Sequence, residues 1–212
     1  RVLFRSDLLL EQFKESEKYV DNFHVKNKGK RIAVAYDKAF SFYYKENLEL
    51  LEEIGEVIYF SPIGDMQLPS NIDSLYMGGG YPEVFIKELS QNTSMLDSIK
   101  KALNNGLRCY AECGGLMYLT LGEKLQGEEQ IIHSTVGFFQ GCYTLTKQLQ
   151  NFGYAEIKVE QEKNILSKGM SINCHEFHKS FVDLSEQKIF KLSKKVYDGS
   201  RSEERRVGKE CP

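Results

Sequence analysis

Residues 110–119 read YAECGGLMYL, which places Cys113 between a short apolar run and two glycines. Upstream, residues 107–111 have the composition of a buried strand. Downstream, Leu116, Met117, Tyr118 and Leu119 suit the apolar face of a helix. A strand that turns sharply into a helix leaves its hinge side chain exposed above the first helical N–H groups, and small neighbours such as Ala111, Gly114 and Gly115 permit the turn. A cysteine there is a candidate nucleophile, because a helix N-terminus favours thiolate over thiol. The plain alternative is a packed core cysteine.

Two further stretches carry groups that such a thiol needs. Gly78-Gly79-Gly80 follows an apolar run and precedes Tyr81-Pro82-Glu83. It is neither a GxGxxG fingerprint nor a phosphate loop, but consecutive glycines let backbone N–H groups approach an oxyanion. A tight loop without chemistry is the other reading. Residues 174–180, CHEFHKS, supply His175 and His178. In a strand, side chains three apart point to opposite faces, so only one imidazole can serve Cys113. Cysteine with histidine is the minimal couple for acyl transfer. A zinc site from Cys174, His175 and His178 is the weaker option, for want of a second ligand cluster.

The surrounding pattern supplies elements to position these groups. Residues 31–36, 56–60, 72–77 and 107–111 read as strands, and a helix is expected from Tyr43 to Ile54, ended by Gly55. Pro82 opens another helical stretch, running to about Asn104. Alternating strands and helices imply a parallel sheet covered on both faces. After about residue 130 the pattern turns strand-rich (135–146, 154–160 and 171–183), which suggests antiparallel strands extending that sheet. Residues 7–30 read as a helix and linker.

Composition narrows the setting. The 212 residues carry a net charge of −2, with 41% hydrophobic and 12% aromatic side chains, enough for a sizeable core. That charge gives no general attraction to nucleic acid or to an anionic membrane, and no apolar run is long enough to span a bilayer. Five cysteines without a CxxC pair favour free thiols and a cytoplasmic setting. The mixed-charge stretch after Gly199 and the first six residues read as adapter-derived rather than native, and Cys211 carries no functional weight.

RIAVAYDKAFSFYY (31–44), GGGYPE (78–83), AECGGLMYL (111–119) and HEFHKS (175–180) occur together and in order. In this combination the chain resembles the C-terminal glutamine amidotransferase domain of the cobyrinate a,c-diamide synthase family over about residues 31–185. The resemblance implies an α/β fold of the class I glutamine amidotransferase (flavodoxin-like) type, a mostly parallel central sheet with an antiparallel extension. It assigns residues 31–195 to that domain, 1–30 to a linker or tail of an N-terminal ATP-binding synthetase domain, and 196–212 to a disordered or non-native tail. It implies a ligase of cobalamin biosynthesis that hydrolyses glutamine through a cysteinyl thioester and passes ammonia to the a- and c-carboxylates of a cobyrinate-type tetrapyrrole.

Within that resemblance Cys113 matches the nucleophile and His178 the catalytic base. The amides of Gly79 or Gly80 and of Gly114 are the natural oxyanion and glutamine-binding donors. Ser180 stands where related glutaminases carry a carboxylate, which leaves Glu176 or a backbone carbonyl to orient His178. No metal or other cofactor is implied for this stretch; ATP and Mg²⁺ belong to the synthetase domain, and no GxxxxGK[ST] occurs here. Alternatives are the homologous enzyme amidating nickel-sirohydrochlorin and a non-catalytic binding module of the same fold; GGGYPE with HEFHKS argues against an amidotransferase acting on a cell-wall lipid precursor.

Overall fold

A computed structural model describes residues 29–162, 166–187, 189–194, 196–198 and 201–203. The helix expected within 7–30, Cys211 and most of the charged tail lie outside these residues. Four parallel strands, β1 (Lys30–Ala35), β2 (Gly55–Phe60), β3 (Ser74–Met77) and β4 (Arg108–Ala111), form a sheet in the order β2-β1-β3-β4. The run Ile32-Ala33-Val34-Ala35 is buried throughout, as suits a strand covered on both faces. Ala33 and Ala35 join Phe40, Leu75, Met77, Leu89, Met95, Ile99 and Tyr118 in the larger core. Ile32, Val34 and Tyr76 face the other way, under Leu48, Leu51 and Ile54 of α1 (Lys45–Ile54).

The single helix expected to end near Asn104 is three pieces: a 3-10 turn (Pro82–Phe85), α2 (Ile86–Gln91) and α3 (Thr93–Asn104). Asn92 makes the second break. Its Oδ1 accepts from Met95 N–H at 3.3 Å, while its Nδ2 donates to the carbonyls of Pro62 (2.9 Å) and Asp65 (2.8 Å). A side chain with these alternatives to helix continuation favours a cap. Then α3 buries Met95, Leu96, Ile99 and Leu103 on one face, the spacing of an amphipathic helix.

Strand β4 corrects another expectation. It occupies the sheet edge, and Arg108, Cys109 and Tyr110 are exposed rather than buried. It feeds the short helix α4 (Gly114–Leu119), which is buried at Gly114, Gly115, Met117, Tyr118 and Leu119.

Beyond α4 the strands are indeed mostly antiparallel, but they do not prolong the parallel ladder. Strands β5 (Gly122–Lys124), β6 (Ile131–Ser134), β7 (Gly141–Leu145) and β10 (Ser180–Leu184) form one sheet ordered β10-β7-β5-β6, with β5 and β7 parallel. Strands β8 (Asn151–Val159), β9 (Ser171–His178) and β11 (Phe190–Ser193) form another, ordered β11-β8-β9. A further pair, β12 (Val196–Asp198) and β13 (Arg201–Glu203), is antiparallel. The stretch read as one strand over 171–183 therefore breaks at Lys179, where the chain passes from one sheet to the next. No described helix is long and apolar enough to cross a membrane.

Candidate active site

Cys113 occupies the hinge between β4 and α4 with φ 51° and ψ −116°. A non-glycine residue at positive φ is strained by roughly 1–3 kcal/mol and persists only where its surroundings enforce it. The enforcement here is backbone hydrogen bonding. Glu112 N–H donates to Met77 O (3.0 Å), and Gly115 N–H is shared between Gly78 O (3.0 Å) and Glu112 O (2.9 Å). The elbow is thus sewn to the end of β3 and the start of the glycine loop. Gly115 must be glycine for this approach, since a Cβ there would lie 2.2 Å from Met77 O.

The loop opposite is equally confined. Gly80 has φ +154°, and a Cβ on it would lie 2.1 Å from Ala39 O, which accepts Tyr81 N–H at 2.9 Å. Asp37 holds that segment from beneath. Its Oδ1 accepts from Ala39 N–H (2.8 Å) and Phe40 N–H (3.2 Å), and its Oδ2 from Ser61 Oγ (2.8 Å) and Ile63 N–H (2.9 Å). Gly114 lies against the same loop: a Cβ there would be 2.8 Å from Pro82 Cδ and 3.5 Å from Gly80 N. The N–H groups of Gly80 and Gly114 consequently both bear on the Cys113 thiol. Gly79 is anchored through its carbonyl, which accepts Phe42 N–H at 3.2 Å.

The electrostatic balance at Cys113 departs from the expected thiolate. Burial pushes the thiol above the ordinary cysteine value, although one side of the residue is open to solvent. The N–H groups of Gly114 and Gly80 oppose this, while the carboxylates of Glu83 and Glu112 add to it. Desolvation wins, because only two amides face the sulfur and α4, six residues long, adds little dipole. Burial also raises the Glu83 carboxyl above its usual range.

His178 ends β9, and its Nδ1 lies 2.7 Å from Ser180 O. Glu176 Oε1 is 3.6 Å from His178 Nε2, and its other oxygen lies 2.5 Å from Lys194 Nζ, so the carboxylate is already paired. Because β9 is paired with β8 along its whole length, Cys174, Glu176 and His178 share one face. His175 is on the other, edge-on to Phe152 (5.8 Å) and Tyr154 (5.4 Å). That alternation removes the zinc reading. Ser180 Oγ bonds Met117 Sδ at 3.6 Å, which sets the β9–β10 corner on α4, one turn beyond Cys113. Among the described residues no hydrogen bond joins His178 to Cys113.

Sequence reasoning passed over Asp37, Glu83, Lys194 and the tyrosines around Glu112. Asp37 carried a signal, since a lone carboxylate just past a buried strand is well placed to collect loop N–H groups. The others are brought to the site only by tertiary folding.

The fold is that of class I glutamine amidotransferases. It is similar to the solved PurLQS from Thermotoga maritima (TM-score 0.56, 16% identity, 79% of this chain and 76% of that one). It is also similar to a solved glutamine amidotransferase (TM-score 0.52, 14% identity, 76% of this chain and 79% of that one). Residues 31–210 match the CobB/CobQ-like glutamine amidotransferase domain, and the chain belongs to that family. Among curated relatives, the cobyrinate a,c-diamide synthase of Clostridium tetani is 61% identical over 90% of this chain, and that of Clostridium acetobutylicum is 54% identical over 91%. The chain spans 43% of the length of each of these two relatives.

Proposed function

We propose that this chain is the glutamine-hydrolysing part of a cobyrinate a,c-diamide synthase, a carbon–nitrogen ligase of cobalamin biosynthesis working in the cytoplasm. The strained Cys113 elbow, with the N–H groups of Gly80 and Gly114 turned to its sulfur, carries the reading. The relatives of that name support the choice of acceptor. The thiol gives its proton to His178 Nε2, and Sγ attacks the glutamine carboxamide carbon. The developing oxyanion is met by Gly80 and Gly114 N–H. The C–N bond breaks, ammonia leaves with the proton from His178, and water cleaves the thioester to glutamate and free thiol, its proton passing back through His178. The Ser180 carbonyl orients the imidazole, and Glu176 lies too close to Lys194 to be a free orienter. In the free chain burial favours the protonated thiol. The remaining part of the enzyme uses ATP and Mg²⁺ to activate the a- and c-carboxylates of the tetrapyrrole, to which ammonia is delivered.

The test uses the full-length enzyme carrying Cys113→Ala. Amidation from glutamine should vanish while amidation from added ammonium salt persists. Equal loss with both nitrogen sources would overturn the assignment.

A further inference from the structure

Five tyrosine rings stand in a row along the sheet on its α1 side. From Tyr59 to Tyr36 the centroids are 5.3 Å apart, then 5.7 Å to Tyr43, 5.3 Å to Tyr76 and 5.4 Å to Tyr110. Three of the hydroxyls hold residues that flank the active site, Gly78 and Glu112. Tyr43 donates to Ala35 O and accepts from Gly78 N–H at 3.0 Å. Tyr76 and Tyr110 are direct neighbours in the β3–β4 register, and both reach Glu112: Tyr76 OH donates to Oε1 at 2.8 Å and Tyr110 OH to Oε2 at 3.1 Å. Burial pushes Tyr43 and Tyr110 up to about 12 and Tyr76 upward as well. These phenols therefore remain donors at every working pH.

Glu112 is thus tied at four points, two through its carboxylate and two through its backbone N–H and C=O. It is also the residue immediately before the nucleophile. We propose that Glu112 is the positioning residue of the Cys113 elbow: its carboxylate, gripped by Tyr76 and Tyr110, fixes the hinge so that Sγ stays against the Gly80 and Gly114 amides. The inference rests on Cys113 being the nucleophile. Charge alone gives no reason for a carboxylate here, since Glu112 works against ionisation of the neighbouring thiol. What it contributes is geometry. A reacting group misplaced by about an ångström loses on the order of 10²-fold in rate.

The test compares Glu112→Ala, Glu112→Gln and the double variant Tyr76→Phe/Tyr110→Phe in the full-length enzyme. Two readouts are used: iodoacetamide labelling of Cys113 against pH, and kcat and KM for glutamine hydrolysis. Glu112→Ala and the double phenylalanine variant should lower kcat at least ~10-fold, with KM within about twofold. Glutamine keeps both tyrosine contacts, accepting at Oε1 and donating from Nε2, but removes the charge. Glu112→Gln should therefore recover most of the rate lost in Glu112→Ala and move the labelling midpoint to lower pH. The idea is overturned if the double variant keeps full kcat, or if Glu112→Gln falls as far as Glu112→Ala. The double variant decides the matter if Glu112→Ala fails to fold. Labelling needs no turnover: full-length wild-type enzyme that is labelled at Cys113 yet never hydrolyses glutamine would sink the glutaminase reading and leave the clamp still measurable.

Discussion

An imidazole whose Nδ1 sits 2.7 Å from the Ser180 carbonyl is held as the Nδ1–H tautomer, which makes Nε2, 3.6 Å from Glu176 Oε1, the ring's proton acceptor. His175 has no such arrangement; it lies among aromatic rings on the outer face of its sheet. His178→Ala should slow ammonia release from glutamine by ~10²-fold or more, the usual scale for a positioned acid–base group. His175→Ala should leave turnover nearly unchanged, and the reverse order of effects would exclude His178 as the base. The thiol adds a pH signature. Since burial raises it, the neutral form is favoured and labelling of the free chain should climb through a midpoint above that of an unstructured cysteine. A lower midpoint would show that the two amides outweigh desolvation. At this scale the sequence singled out Cys113 by its place between an apolar run and two glycines, while spacing said only that one of His175 and His178 could reach it; the choice of His178 came from the family resemblance. The sign of the thiol shift was hidden, for it depends on Glu83 and on packing that no local spacing encodes.

Elements explain why so few substitutions are open near the elbow. Alanine at Gly115 places Cβ 2.2 Å from Met77 O, and the neighbour is backbone rather than a flexible side chain. Overpacking of this kind costs about 1–3 kcal/mol. Gly115→Ala should shift the urea midpoint downward with an unchanged m-value, and an unaltered midpoint would contradict the close approach of α4 to β3. The strands and α1 were legible because buried parallel strands are short apolar runs and Gly55 closes a helical period. The break at Asn92 was not, since its alternative partners, Pro62 and Asp65, are some thirty residues upstream. Exposure of β4 escaped for a similar reason: an edge position is a property of strand order, and residues 107–111 look the same at a centre or an edge.

On the scale of the whole molecule, chemistry is concentrated where separate sheets meet. Cys109, Cys113 and Cys142 are free thiols, and denatured, unreduced protein is expected to titrate as five thiols, the number in the sequence. A disulfide consuming Cys113 would remove the nucleophile altogether. The strand-rich second half was readable from composition, yet its division into separate sheets was not, because the switch at Lys179 involves no glycine or proline. That switch has a mechanical meaning. Lys179 O is gripped by the N–H and hydroxyl of Thr146 (2.7 and 2.8 Å), and His178 O by Gln150 N–H (2.9 Å). On one side of this seam a sheet carries the imidazole ring, and on the other a different sheet, through Ser180 O, steers it. The ring acts as a pointer mounted across a joint, so any rotation of one sheet against the other is read out directly as a change in its aim.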